Sequence, residues 1–269
     1  MARLSLSVAW DQTASIIRRD GRLFGSVALA LMVLPQTVLG ILMPASIEAI
    51  SLGLAVLALV VLLIGFAAQI AFNRLALASS ITVGSAINRG LARLPAFVGA
   101  LLIIAVVTTL LFVALLAVLM AAGAITPPSA GANPPASVLV LILILAALIF
   151  AIFQLMAPIA AAEAGGSIHL LRRSWGLAKS EYPRLLVFVC MVLLGLLVVL
   201  AAGQFVVGST VVLVLGQPRP LSFSALVLSL IVGALQAAYT VVTSVMLARI
   251  YVQLAGRADA KASVPSSGI

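Results

Sequence analysis

The one histidine of the chain, His169, sits in GSIHLLRRSWGLAKSEYPR (166–184), together with Trp175 and with Arg172, Arg173, Lys179 and Arg184, four of the fifteen basic residues. An imidazole beside carboxylates is the usual starting point for a general base or a metal site. The nearest carboxylates in sequence are Glu163 and Glu181, and there is no second histidine. The single cysteine, Cys190, lies within an apolar run, so an intramolecular disulfide and a cysteine metal cluster are both excluded, and its expected role is ordinary packing. No HExxH helix, Gly-rich phosphate loop or G-x-S-x-G elbow occurs. These residues predict no catalytic group, no metal site and no cofactor.

The remaining candidates for chemistry are neutral and polar, scattered through apolar sequence: Gln36, Gln69, Asn73, Thr108, Thr109, Gln154, Gln204, Gln236 and Thr240. Gln69, Gln154 and Gln236 occupy similar places in their runs and form a candidate polar group around a central axis. Such side chains most often hydrogen-bond between helices, contributing around 0.6 kcal/mol each. A path for a polar solute is the alternative. Charged residues near the bilayer midplane, the usual mark of an ion-coupled carrier, do not occur: Arg74, Glu163 and Arg249 all fall at the ends of runs.

The elements that must carry these residues follow from composition. Of the 269 residues 64% are hydrophobic and 8% charged, whereas a soluble domain is about half apolar and a quarter charged. Six runs, at 23–43, 52–72, 96–122, 138–162, 185–215 and 221–248, are each long enough to cross the hydrocarbon core as a helix. Helix is required because each backbone amide in lipid must be paired within its own segment. The fold class is therefore all-α, with six transmembrane helices. The fifth run would extend about 46 Å as one helix, against a core of about 30 Å, so a break or tilt is expected near Gly203 and Gly208. Pairs such as Ala67 with Ala71 and Ala160 with Ala164 have the spacing of close helix contacts.

Charge orients the spans. Arg3, Arg18, Arg19 and Arg22 precede the first; Arg74, Arg89 and Arg93 lie between the second and third; Arg172, Arg173, Lys179 and Arg184 between the fourth and fifth; Arg249, Arg257 and Lys261 follow the sixth. Only Arg219 falls on the other side. By the positive-inside rule the crowded side, with both termini, is cytoplasmic. The opposite loops, PASIEAIS, ITPPSAGANPPAS and GQPRPLS, are too short for an external domain. A net charge of +9 without a soluble basic face gives no reason to expect nucleic acid. The first 22 residues lack the short h-region and cleavage site of a signal peptide, so the first span is expected to remain.

Within 1–257, read as a single membrane domain, three units are expected at about 5–80, 81–165 and 166–257, each a basic segment followed by an apolar hairpin; 258–269 reads as a disordered cytoplasmic tail. The segment GSAINRGLARLP (84–95) echoes 166–184. At 100° per residue Val83, Ile87, Leu91 and Leu94 share one arc, with Arg89 and Arg93 opposite; Ile168, Leu171, Trp175 and Ala178 share another, with His169, Arg172, Arg173 and Lys179 opposite. Each unit is thus predicted to begin with a basic amphipathic interfacial helix, with Ser167 as an N-cap and breaks at Pro95 and Pro183. Such helices lie in the interface and meet anionic headgroups, which makes Arg89, Arg93, Arg172, Arg173, Lys179 and Arg184 candidate lipid-headgroup residues and membrane lipids the expected partner; the alternative is that these charges only set topology during insertion. The identity of any protein partner is not encoded in these residues.

The string EAGGSIHLLRRSWGLAKSEYPRLL and the closing ARIYVQLAG resemble the membrane part of the glycerophosphoryl diester phosphodiesterase membrane domain family of bacterial multi-pass proteins. That resemblance implies a bacterial inner-membrane location and an architecture, not an activity. Longer relatives carry a separate soluble phosphodiesterase barrel, whose histidines and acids are absent here. The expected role is a non-catalytic scaffold or lipid-contacting module serving a separate enzyme or envelope system, with transport of a small solute or lipid-related molecule as the alternative.

Overall fold

A computed structural model describes residues 4–44, 50–78, 81–121, 123 and 136–262. Among the described residues every regular element is helical and no strand occurs. Six helices are long and apolar enough to cross a membrane: Leu6–Leu42, Leu52–Leu77, Val83–Ala121, Val140–Ala162, Tyr182–Leu215 and Phe223–Gly256. Six spans therefore stand as expected, although their boundaries differ in ways that local chemistry explains.

The first span is α1 (Leu6–Ala28), a widened π turn (Leu29–Val33) and α2 (Leu34–Leu42). Ser5 caps it, its hydroxyl accepting from the Val8 amide at 3.3 Å. The π turn falls just before Pro35, whose ring cannot tolerate the Leu31 carbonyl in a normal turn. The basic segment of the first unit is thus continuous with its span and not a separate helix. The second span is α3 (Leu52–Leu77) and the third α4 (Val83–Ala121). Pro95, expected to end a helix, lies inside α4. It is tolerated because Pro95 and Leu91 are on the exposed side, where the carbonyl freed by the missing amide can be hydrated, while Gly90, Phe97 and Ala100 are packed on the other side.

The fourth span breaks where no break is expected, into α5 (Ala136–Phe153) and α6 (Met156–Ala162). Pro158 has no amide for the Gln154 carbonyl and collides with it, so the chain turns at Gln154 and Leu155. Next comes α7 (Ser167–Ala178), the one basic segment that forms a helix of its own. Its N-cap is Gly166, not Ser167; Ser167 is the first helical residue, and its hydroxyl donates to the Ala96 carbonyl at 2.9 Å. Pro183 opens α8 (Tyr182–Ala201), as expected. A π turn (Ala202–Val207) then joins α8 to α9 (Gly208–Leu215), placing the irregularity of the fifth span between Gly203 and Gly208. Gly216, at φ +82°, ends it. The sixth span, α10, continues from Phe223 to Ala262, so residues 258–262 are helical where a tail is expected; the remainder of that tail, like Arg3 and Glu48, lies outside the described residues.

Packing does not follow three self-contained hairpins. The first span lies against the last and the second against the third, while α4 and α5 barely touch and the third span meets the fourth mainly through α6. Small residues set these crossings. A Cβ on Gly40 would lie 2.4 Å from the Ser229 hydroxyl, and one on Gly90 2.4 Å from the Ala67 carbonyl oxygen. Ala67, Ala71 and Ala160 are buried, as close packing requires, whereas Ala164 is exposed. Phe24 packs on Phe72 and Phe66 meets Phe97 edge-on, in the two buried clusters. Cys190 is exposed on the outer face of α8 and so takes no part in the core.

Candidate functional site

The basic ends of the spans come together. Gln253 of α10 accepts from the Ser5 amide at the start of α1, Arg249 of α10 donates to the Ala76 carbonyl at the end of α3, and Arg74 of α3 donates to the Ala161 carbonyl at the end of α6. At the centre is the end of α6. A helix of any length leaves its last carbonyls without intrahelical donors, and their partial negative charge attracts cations. Here Arg89 donates to the Glu163 carbonyl at 2.8 Å, and Arg93 donates to the same oxygen at 3.1 Å and to the Gly165 carbonyl at 3.0 Å. Two predicted headgroup residues are therefore turned inward, capping a helix.

The Glu163 side chain extends the same cluster. One carboxylate oxygen accepts from Arg173 and from the Tyr251 hydroxyl, each at 2.9 Å. The other oxygen lies 3.7 Å from His169 Nε2, within ion-pair range but beyond a hydrogen bond. Gly165 makes room for that imidazole, since a Cβ there would stand 2.4 Å from His169 Nδ1. The histidine thus has a carboxylate neighbour, as its sequence position suggests, but Arg173 and Tyr251 already hold that carboxylate. Chemically the cluster is a latch: four helices, α3, α4, α7 and α10, are tied by guanidinium and hydroxyl donors to the end of α6.

The other predicted cations behave differently. On α7 the inward face is Leu170, Ser174, Leu177 and Ala178, with the Ser174 hydroxyl donating to the Ile152 carbonyl at 2.7 Å. The outward face is Ile168, Arg172, Trp175 and Lys179. Ile168 is 74% and Trp175 53% exposed. The apolar half of the predicted wheel is therefore divided: Ala178 is buried, Leu171 partly so, and Ile168 and Trp175 stand beside the free cations. Arg184 is engaged with Glu181 at 2.6 Å. Of the six predicted headgroup residues, Arg172 and Lys179 are the exposed pair.

The three glutamines line two cavities, with Gln69 on the wall of both. Gln69 and Gln236 line a cavity of about 630 Å³ between α2, α3 and α10, with Gln36, Ser229 and Thr240. The side-chain oxygen of Gln36 is buried with no hydrogen-bond partner. Gln154 lines a second, mainly apolar cavity of about 530 Å³ between α3, α4 and α5, which Gln69 also borders. The Gln154 amide, almost fully buried, donates to the Ala151 and Leu185 carbonyls at 3.4 Å each. Its position is a consequence of the break at Pro158, and Pro158 four residues downstream was the readable signal. Sequence reasoning named Gln36 as a polar residue and Arg74 as the end of a run without placing either in a site, and missed Tyr251; all three join through contacts between distant spans.

Comparison with known protein families, characterised proteins and solved structures finds no match to this chain.

Proposed function

We propose that this multi-pass membrane protein acts without catalysis of its own, as a scaffold or lipid-contacting module at the cytoplasmic face of a bacterial inner membrane, serving a separate enzyme or envelope system. The observation that carries the reading is the outward face of α7, where Arg172 and Lys179 stand free beside Ile168 and Trp175 while neighbouring arginines are drawn into the latch. An indole, an aliphatic chain and two cations on one exposed strip suit the headgroup boundary, where apolar groups sink and cations meet lipid phosphates. The cytoplasmic assignment rests on the asymmetry of basic residues. The likeness of 163–186 to the membrane part of the glycerophosphoryl diester phosphodiesterase membrane domain family agrees with a role beside an enzyme in place of a catalytic one.

The test is lipid enrichment around purified protein in mixed nanodiscs. Each cation near an anionic surface contributes about 1 kcal/mol, so Arg172→Gln with Lys179→Gln should lower anionic-lipid enrichment by up to about thirtyfold. Unchanged enrichment rejects the headgroup role.

A second reading, transport of a small solute or lipid-related molecule, is favoured by one observation: the cavity lined by Gln36, Gln69 and Gln236, with an unpartnered buried amide oxygen. Gln36→Leu and Gln236→Leu would abolish flux through reconstituted vesicles under this reading and leave lipid enrichment unaltered under the first.

A further inference from the structure

A third cavity, with no residue of α7 in its wall, has a different lining. It is a cleft of about 600 Å³ between α1, the end of α3 and α10, bordered by Asp11, Gln12, Ser15, Arg19 and Arg249, with Ile16, Leu75 and Leu77 as apolar walls. Gln12, Ser15 and Arg19 recur at three- and four-residue spacing, which puts an amide, a hydroxyl and a guanidinium on one stripe of α1. Arg249 reaches the cleft from α10. One of its nitrogens donates to the Ala76 carbonyl, but its Nε is buried and has no hydrogen-bond partner. An orphaned donor on a charged group is costly to bury unless something else completes its shell.

We propose that this cleft binds a phosphate group, held between Arg19 and Arg249 with Gln12 and Ser15 as neutral donors. Guanidinium groups suit this task because their planar fork matches two phosphate oxygens at once. Arg249 borders the cleft, and a turn of its guanidinium would bring the buried, unpartnered Nε to such an oxygen. Arg19 spends its Nε and one terminal nitrogen on Asp20, at 3.0 and 2.8 Å, in an ion pair that is largely exposed. Exposed pairs of this kind are weak, so Arg19 can exchange Asp20 for a better anion at small cost. Asp11 offsets one cation, which favours a singly charged phosphodiester or a monoprotonated phosphate over a more highly charged polyphosphate.

The phosphate could be a lipid headgroup or a free ion, and two arms separate them. In detergent, thermal unfolding of the full chain is followed with inorganic phosphate against chloride at equal ionic strength; in parallel, unfolding is followed in nanodiscs with and without phosphatidylglycerol. Protection in either arm that is lost in Arg19→Gln and kept in Arg18→Gln, an exposed cation outside the cleft, establishes the site and its source. Asp20→Asn should increase the protection several-fold, because it frees Arg19. Arg249→Gln should also abolish protection; should it fail to fold for want of the Ala76 contact, Gln12→Leu and Arg19→Gln decide the matter. Equal stabilisation by phosphate and chloride together with indifference to phosphatidylglycerol, or equal loss in Arg18→Gln and Arg19→Gln, overturns the proposal.

Discussion

Arg89 and Arg93 of α4 and Arg172 and Lys179 of α7 are pairs of cations on helices at the same end of the bundle, yet they face opposite ways. The α4 pair donates to carbonyls 163 and 165, and the α7 pair is exposed. Residue type does not explain the difference, because both pairs lie on one face of a helix with apolar residues nearby. What differs is the neighbour. Opposite Arg89 and Arg93 lie the Glu163 and Gly165 carbonyls at the open end of α6; among the described residues none covers Arg172 and Lys179, which stand exposed. A cation at a membrane boundary is therefore assigned to the fold or to the surroundings by the position of unpaired carbonyls.

The contrast is most sharply broken at Gly90, one residue from Arg89. A side chain there meets the Ala67 backbone, 2.4 Å from its oxygen and 3.2 Å from its carbon, and backbone of a packed helix cannot give way as a flexible side chain can. Gly90→Leu should force α4 from α3, carry both arginines away from α6 and cost about 3 kcal/mol, near the upper end for overpacking. Reversible unfolding in mixed micelles measures it; a variant as stable as the parent would show that α3 and α4 do not cross this closely.

Next in size is Arg93→Gln, which removes charge-assisted bonds to the Glu163 and Gly165 carbonyls. Bonds to charged groups contribute about 1.5 to 3 kcal/mol, and because Arg93 is half-exposed a loss of about 2 kcal/mol is expected in the same assay. Arg93→Lys should recover only part of it, since an ammonium does not reproduce the two-oxygen fork. Full recovery by lysine would mean that charge alone, and not the capping geometry, holds α6.

These residues also mark how far the sequence could be read. Six spans were legible because the apolar runs are long, and the common location of the basic ends was legible from the position of the arginines. Pro183 and the Gly203–Gly208 irregularity were legible because proline and glycine act locally. The break at Gln154 was equally local, set by Pro158, but is masked within a run that is apolar from end to end. The inward turn of Arg89 and Arg93 was not legible at all: it depends on α6 ending beside α4, a contact between residues more than seventy positions apart. Continuity through Pro95 likewise depends on which side of α4 is exposed, which periodicity cannot settle because the apolar arc, with Leu91, and the packed arc, with Gly90 and Phe97, differ.

The smallest expected effect is the most discriminating. Arg172→Gln with Lys179→Gln removes as much charge as losing both arginines of α4, but neither side chain has a role inside the bundle, so the unfolding midpoint should stay where it is. The change should appear at the boundary instead. In a Trp10→Phe background Trp175 is the remaining indole, and its quenching by lipids brominated near the headgroup reports how α7 sits. With both cations in place the indole is drawn to anionic bilayers and quenching should exceed that in neutral ones; in the double variant the two bilayers should quench alike. A lowered midpoint would place Arg172 and Lys179 in the same structural class as Arg89 and Arg93, and the distinction between the two helices would disappear.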